Sequence, residues 1–229
     1  HNILLEAIAQ TSDELMDKFF NEEPITRAEA LEAIHLGIIS GDIIPVFCGA
    51  AIKNWGIKTF LDTIAESFPR PLARKVEHVI GEDGEMREVP IDMDSADTSI
   101  FVFKTIADPF VGKMSFFKVM NGEVKKDMVL RNTTTGATEK LGKIFMMRGK
   151  RQIDVDELAC GDIGVVAKLS NTNTNDTLTT VAENIKYAPI KYPVPYFTKA
   201  IAPRSKGDED KISIGISRLL EEDPTLKYV

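Results

Sequence analysis

Two short runs hold the groups best suited to chemistry. Gly49-Ala50-Ala51, followed by Lys53-Asn54-Trp55-Gly56, puts three small residues at a corner between an apolar run and a helical pattern. Small residues there either open the backbone N–H groups to a ligand or simply let the chain turn tightly. Local sequence leaves both readings open. The second run, Arg148-Gly149-Lys150-Arg151, gathers three cations around a glycine at an expected hairpin tip, where they can meet phosphates. Isolated cations such as Lys113, Lys118 and Lys143 read as solvated side chains.

Several reaction classes have nothing to build on. The three histidines (His1, His35, His78) are scattered, and Cys48 and Cys160 belong to no Cys-x-x-Cys pair. No metal site or Cys-His nucleophile follows, and both cysteines read as reduced core residues. Asp108-Pro109 reads as a turn in which Asp accepts from its own backbone, and Glu221-Glu222-Asp223 as a solvated run at a helix end. No carboxylates form an acid/base pair, so no catalytic residue is assigned. There is no Gly-x-x-x-x-Gly-Lys-Ser/Thr cradle for phosphates and no Asn-Lys-x-Asp for guanine.

Charge divides along the chain. Residues 1–98 hold 8 basic and 19 acidic side chains, whereas residues 99–229 hold 20 and 16, for a net −7 over 229 residues. The global field therefore disfavours nucleic acid, DNA included, while the second part, net +4, is able to face a phosphate surface. No apolar run approaches the roughly 20 residues that span a bilayer, and the first residues are not a signal peptide. The absence of an initiator Met suggests a fragment.

These runs need elements to position them. Apolar spacing predicts two short helices over 3–20, with a capping box at Thr11-x-x-Glu14, and a third helix opened by Thr26-x-x-Glu29 and stopped at Gly41. Ile43 to Cys48 reads as a buried parallel strand. A helix from Gly56 to Phe68 comes next, with Ile57, Phe60, Leu61, Ile64 and Phe68 inward and Pro69 and Pro71 ending it. Residues 73–98 read as an acidic linker with one hairpin near Glu82-Asp83-Gly84. From Ser99 to about residue 185, short β-rich runs alternate with turns, including Asn121-Gly122 as a hairpin turn, which argues for an antiparallel barrel. A proline-bearing linker then leads to a strand over Tyr196 to Ile201 and a helix over Gly207 to Glu222.

Three segments, in order, resemble the elongation factor G family of translational GTPases. Val46-Phe47-Cys48-Gly49-Ala50-Ala51-Ile52-Lys53-Asn54-Trp55-Gly56 is similar to its fifth guanine-nucleotide motif. Phe103-Lys104-Thr105-Ile106-Ala107-Asp108-Pro109-Phe110-Val111-Gly112-Lys113 is similar to the opening of its second domain. Ser205-Lys206-Gly207-Asp208-Glu209-Asp210-Lys211 and Leu219-Leu220-Glu221-Glu222-Asp223-Pro224-Thr225-Leu226 are similar to the start of its third. Where many members have Met-His-Ala, this chain has Met146-Met147-Arg148, and with Val155-Asp156-Glu157-Leu158 it looks more like the elongation factor G-like paralogues found beside the main translocase in some bacteria.

The resemblance implies a multidomain α/β plus β fold. Residues 1–72 would be the C-terminal part of a P-loop GTPase domain with a helical insertion. Residues 99–185 would be the antiparallel β-barrel second domain, and 186–229 a linker with the start of an α/β ferredoxin-like third domain. It implies a cytoplasmic, ribosome-dependent GTPase that promotes translocation, with GTP and Mg²⁺ used by the full-length protein and neither expected on this chain alone. Gly49, Ala50 and Ala51 would line the guanine pocket through their backbone, and Arg148, Lys150 and Arg151 would contact small-subunit rRNA. A ribosome-rescue or ribosomal-protection GTPase, or a non-enzymatic barrel module that binds the ribosome, are the alternatives. Exposed apolar edges predict self-association of the chain, or disorder over 1–40 and 200–229.

Overall fold

The first seventy residues fold as short helices: side-chain caps at Ser12 and Thr26 open two of them, and the stretches over 13–20 and 57–67 each carry one apolar stripe. The computed structural model describes residues 2–70, 73, 75–182, 185–203 and 205–228. The chain divides into two compact units, residues 1–73 and 74–229.

In the first unit α1 (Asn2–Ala9), α2 (Asp13–Phe20) and α3 (Arg27–Ser40) enclose a small core of Ile8, Leu15 and Ala33. The first cap is shifted by one residue from the expected box. Ser12 Oγ accepts from the Leu15 N–H at 3.3 Å, while the Thr11 hydroxyl donates back to the Ile8 carbonyl at 2.7 Å. The second box forms as expected: Glu29 N–H donates to Thr26 Oγ1 at 3.3 Å, and Thr26 N–H donates to Glu29 Oε2 at 2.8 Å. The Lys18 ammonium also bonds Glu29, and together these donors hold the Glu29 carboxyl down at about 2, from 4.5. A carboxyl depressed on folding stabilises the fold above its unfolded value and ceases to do so as pH falls through its folded one. The helical unit is therefore expected to lose stability between about pH 4.5 and about pH 2, and Glu29→Gln to flatten that loss in an acid titration followed by ellipticity.

Gly41, at φ 87°, ends α3. The next run, expected as a buried strand, is neither a strand nor buried: Ile44 and Val46 are 81% and 86% exposed. A strand exists only against a neighbouring strand that takes its N–H and C=O groups; here the Ile43 N–H donates to the Gly37 carbonyl at 2.9 Å, and among the described residues no strand pairs with the run. Cys48 is likewise exposed, whereas Cys160 is buried. α4 (Ile57–Ser67) comes after it and is tied to α3 by His35 Nδ1 and the Ser67 carbonyl at 2.9 Å. Its expected inward face is partly open, with Leu61 56% exposed. Pro69 lies just past the helix end; Pro71 lies outside the described residues.

The second unit is built on antiparallel strands. Its main sheet has the order β7-β6-β12-β3-β4-β11-β8-β9. The long central pair is β3 (Ser99–Asp108) and β4 (Gly112–Asn121). Around it lie β6 (Val129–Asn132), β7 (Thr138–Lys140), β8 (Ile144–Arg148), β9 (Arg151–Val155), β11 (Ile163–Ala167) and β12 (Thr177–Thr179). A separate ladder joins β5 (Glu123–Lys125) to β10 (Glu157–Ala159). Inward positions alternate, as half-buried strands require, and Phe117, Val119, Leu130, Ile144 and Leu178 are fully buried.

Asn121-Gly122 does not make the expected hairpin. The chain kinks there, and β5 leaves the main sheet to pair with β10. Gly122 sits at φ 64°, and a Cβ on it would lie 2.4 Å from the Asp97 carbonyl, so only glycine fits.

The segments on either side of the main sheet pair with each other. β1 (Val76–Ile80) and β2 (Met86–Pro90) form the expected hairpin, and β13 (Lys186–Tyr187) adds to β1 with Val79 opposite Tyr187. Tyr187 Oη and Ser99 Oγ lie 2.7 Å apart, and burial pushes the phenol up to about 12. Tyr196 to Ile201 forms no strand, for the same reason as Ile43 to Cys48, and Tyr196 is 96% exposed. α5 (Glu209–Glu222) forms as expected. Among the described residues no helix is long and apolar enough to cross a membrane.

Candidate functional sites

The small-residue corner is a closed loop rather than a loose turn. Ala50 and Trp55 exchange both backbone bonds, with Ala50 N–H to Trp55 O at 3.0 Å and Trp55 N–H to Ala50 O at 3.1 Å. Between them Ala51–Lys53 makes one 3₁₀ turn, and Asn54 takes a left-handed conformation at φ 56°. A Cβ on Gly49 would lie 2.8 Å from the Trp55 carbonyl, and one on Gly56 2.8 Å from the Cys48 carbonyl. Glycine at both positions is what lets the two limbs close. The Lys53 ammonium rests 4.7 Å from the Trp55 ring centroid, an arrangement that braces the loop from outside.

The three residues play different parts. Gly49 closes the corner, and Ala50 spends its N–H and its carbonyl inside it. The Ala51 N–H donates to nothing among the described residues, and Ala51 is exposed. An exposed, rigidly held amide donor beside small side chains can take a carbonyl oxygen of a flat ligand.

The hairpin tip lies in the other unit. Arg148 and Arg151 face each other across the β8–β9 ladder, with Gly149, at φ 61°, and Lys150 as the connecting pair. Like charges directly opposite on a ladder repel. None of these three cations has an ion-pair partner among the described residues, and all three are exposed. The other barrel cations differ. Lys118 faces Glu77 at 3.6 Å, Lys143 faces Asp154 at 3.4 Å, and Lys113 bonds Asn173 Oδ1 at 2.8 Å. Of these, Lys118 and Lys143 face carboxylates, whereas Lys113 bonds a neutral amide.

Two features escape periodicity. Asp108 Oδ1 accepts from both the Phe110 and the Val111 N–H at 2.8 Å, which holds its carboxyl below the usual range and fixes the β3–β4 turn. This rigid turn presents Phe110, 97% exposed. Asp-Pro ahead of an aromatic was the available signal. At the helix end, Glu222 and Asp223 are not idle solvated charges. Glu222 Oε1 accepts from the Ala107 N–H at 2.6 Å, and Asp223 Oδ1 accepts from the Thr225 N–H and hydroxyl at 2.9 and 2.6 Å. No group of three or more His, Cys, Asp or Glu able to hold a metal occurs among the described residues.

Comparison with known proteins matches two parts of the chain. Residues 97–181 match the model of elongation factor G domain 2, and residues 192–229 that of elongation factor G, domain III. A crystal structure of a Thermus thermophilus protein is similar at 25% identity with a TM-score of 0.75, covering 97% of this chain and 31% of that one.

Proposed function

We propose, for a chain that belongs to the elongation factor G family through its second and third domains, that it works as part of a cytoplasmic, ribosome-dependent GTPase promoting translocation. Its strand-rich unit is the arm that meets small-subunit rRNA. The observation that carries this reading is the tip at Arg148, Lys150 and Arg151. No carboxylate among the described residues pairs with these cations, and a line of phosphates would relieve their mutual repulsion.

The helical unit contributes the corner at Gly49, Ala50 and Ala51. The free Ala51 N–H and the absence of bulk at Gly49 fit the edge of a guanine ring, whose carbonyl is an acceptor. The chain has no phosphate cradle, so GTP and Mg²⁺ would be held by the full-length protein, with this corner closing on the base. The hydrolytic groups belong elsewhere in that protein.

Charge reversal tests the rRNA contact. In the full-length protein, Lys150→Glu with Arg151→Glu is expected to weaken ribosome binding and to reduce the slope of log affinity against log salt by about 2, since each phosphate contact contributes roughly 0.9. Lys143→Glu, at a position already paired, should leave the slope nearly unchanged. An unaltered slope in the double variant removes the tip from the contact.

A further inference from the structure

Asn121-Gly122 is the one Asn-Gly pair in the chain. An asparagine ahead of glycine carries the side-chain amide most prone to cyclisation, because the next main-chain nitrogen, unhindered by a side chain of its own, can reach the Asn Cγ. The pair lies where β4 ends and β5 begins, with Gly122 buried and Asn121 half-buried.

Each group that cyclisation needs is engaged by the segment ahead of β3. Asn121 Oδ1 accepts from the Asp92 N–H at 2.7 Å, and Asn121 Nδ2 donates to the Asp97 carbonyl at 3.0 Å. The Gly122 N–H, which carries the attacking nitrogen, donates to the Asp92 carbonyl at 3.0 Å. Residues 92–97 therefore clasp both reacting groups and hold them apart. Two of their own side chains brace the clasp: Asp92 Oδ1 accepts from the Asp94 N–H at 3.0 Å, and Ser95 Oγ from the Asp97 N–H at 3.1 Å. Asp92, Asp94 and Asp97 are all exposed, so this segment opens more readily than the barrel core beneath it.

We propose that Asn121 is a spontaneous modification site gated by the 92–97 clasp, and that its conversion to a carboxylate releases that clasp for good. When the clasp lifts, the Gly122 nitrogen gives up its proton to water and bonds Asn121 Cγ; the Cγ–Nδ2 bond breaks and ammonia leaves. Water then opens the five-membered imide, at Cγ to give aspartate or at the main-chain carbonyl to give isoaspartate. One amide and one water become one carboxylic acid and one ammonia, with no change of oxidation state. The product cannot restore the clasp. Its carboxylate still accepts from the Asp92 N–H, but it has no N–H for the Asp97 carbonyl and sets a negative charge against that oxygen. Isoaspartate also lengthens the main chain beside Gly122, where a Cβ would already lie 2.4 Å from the Asp97 carbonyl.

The whole 229-residue chain, held at mildly alkaline pH and then digested for peptide mass spectrometry, tests this. Conversion at Asn121 is expected to be about tenfold or more slower in the folded chain than in the same chain unfolded in guanidinium, because the clasp bonds must open first. Asp92→Ala with Ser95→Ala removes both braces and none of the bonds to Asn121 or Gly122, and should raise the folded rate about tenfold. Asn121→Asp should speed exchange of the Asp92 and Gly122 amides about tenfold and leave those of Phe117 and Val165 as they were. Equal conversion in the folded and unfolded chains overturns the gate, as does a folded rate that the double variant fails to raise. Unaltered exchange at Asp92 and Gly122 in Asn121→Asp overturns the release. So does equal acceleration of the core amides, which would make Asn121 an ordinary support of the barrel.

Discussion

Truncating Phe117 to alanine is expected to cost the strand-rich unit about 3–5 kcal/mol. The ring is fully buried at the centre of β4, and its neighbours include the backbone of Gly164, directly opposite on β11. Gly164 has no side chain because the space is taken. A Cβ there would lie 2.3 Å from Leu158 Cδ1 and 2.7 Å from Phe117 Cζ. Gly164→Ala should therefore cost about 1–3 kcal/mol by overpacking, and less once Phe117→Leu has withdrawn the ring, with the contact to Leu158 Cδ1 remaining. The double-mutant cycle should show coupling of about 1 kcal/mol or more. Additive costs would mean that the two positions do not share that space. Tryptophan emission is the wrong probe, since the single Trp, Trp55, lies in the other unit. Exchange of the Val119 and Val165 amides reports on the barrel directly.

The second large effect concerns nucleotide. Ala51→Pro in the full-length protein is expected to weaken guanine-nucleotide binding about tenfold or more, the worth of one amide donor that a bound base would cover. Proline is unusually clean here. Ala51 opens the 3₁₀ turn and its N–H bonds nothing among the described residues, so removing that hydrogen breaks no bond of the corner. The preceding residue, Ala50, is already extended at φ −131°, ψ 97°, the region that a proline in the next position favours. Trp55 emission during thermal melting should match the wild type, and Ala51→Gly, which keeps the N–H, should bind nearly normally. Wild-type affinity in Ala51→Pro would detach the corner from the base.

Most elements could be read from local chemistry, and the failures share one cause. Thr26-x-x-Glu29 announced α3 because both bonds of its cap are made within four residues. The β3, β4 and β11 runs showed themselves by alternation over one core. Ile43 to Cys48 and Tyr196 to Ile201 carry the apolar content of strands, but being a strand depends on a neighbour, which composition does not supply. Gly122 misled for a related reason. Asn-Gly normally closes a hairpin, yet here the left-handed glycine is needed for close approach to the Asp97 carbonyl. At the candidate sites, the small residues at 49–51 and the cations at 148–151 were visible as types. Which amide is free, and which lysines already face a carboxylate, is settled only by contacts distant in sequence. The bond from Glu222 to Ala107 spans 115 positions, and no local pattern announces it.

The pairing of β13 with β1 governs how load would travel through this molecule. The chain enters the barrel along β1 and leaves along β13, antiparallel and adjacent, with Ala188 N–H on the His78 carbonyl at 3.3 Å. Tension pulling the chain before residue 76 away from the chain after residue 187 would therefore peel this short seam open bond by bond, like a zip, rather than shear it. Until the seam has parted, the eight-stranded sheet behind it carries none of the strain and keeps its shape.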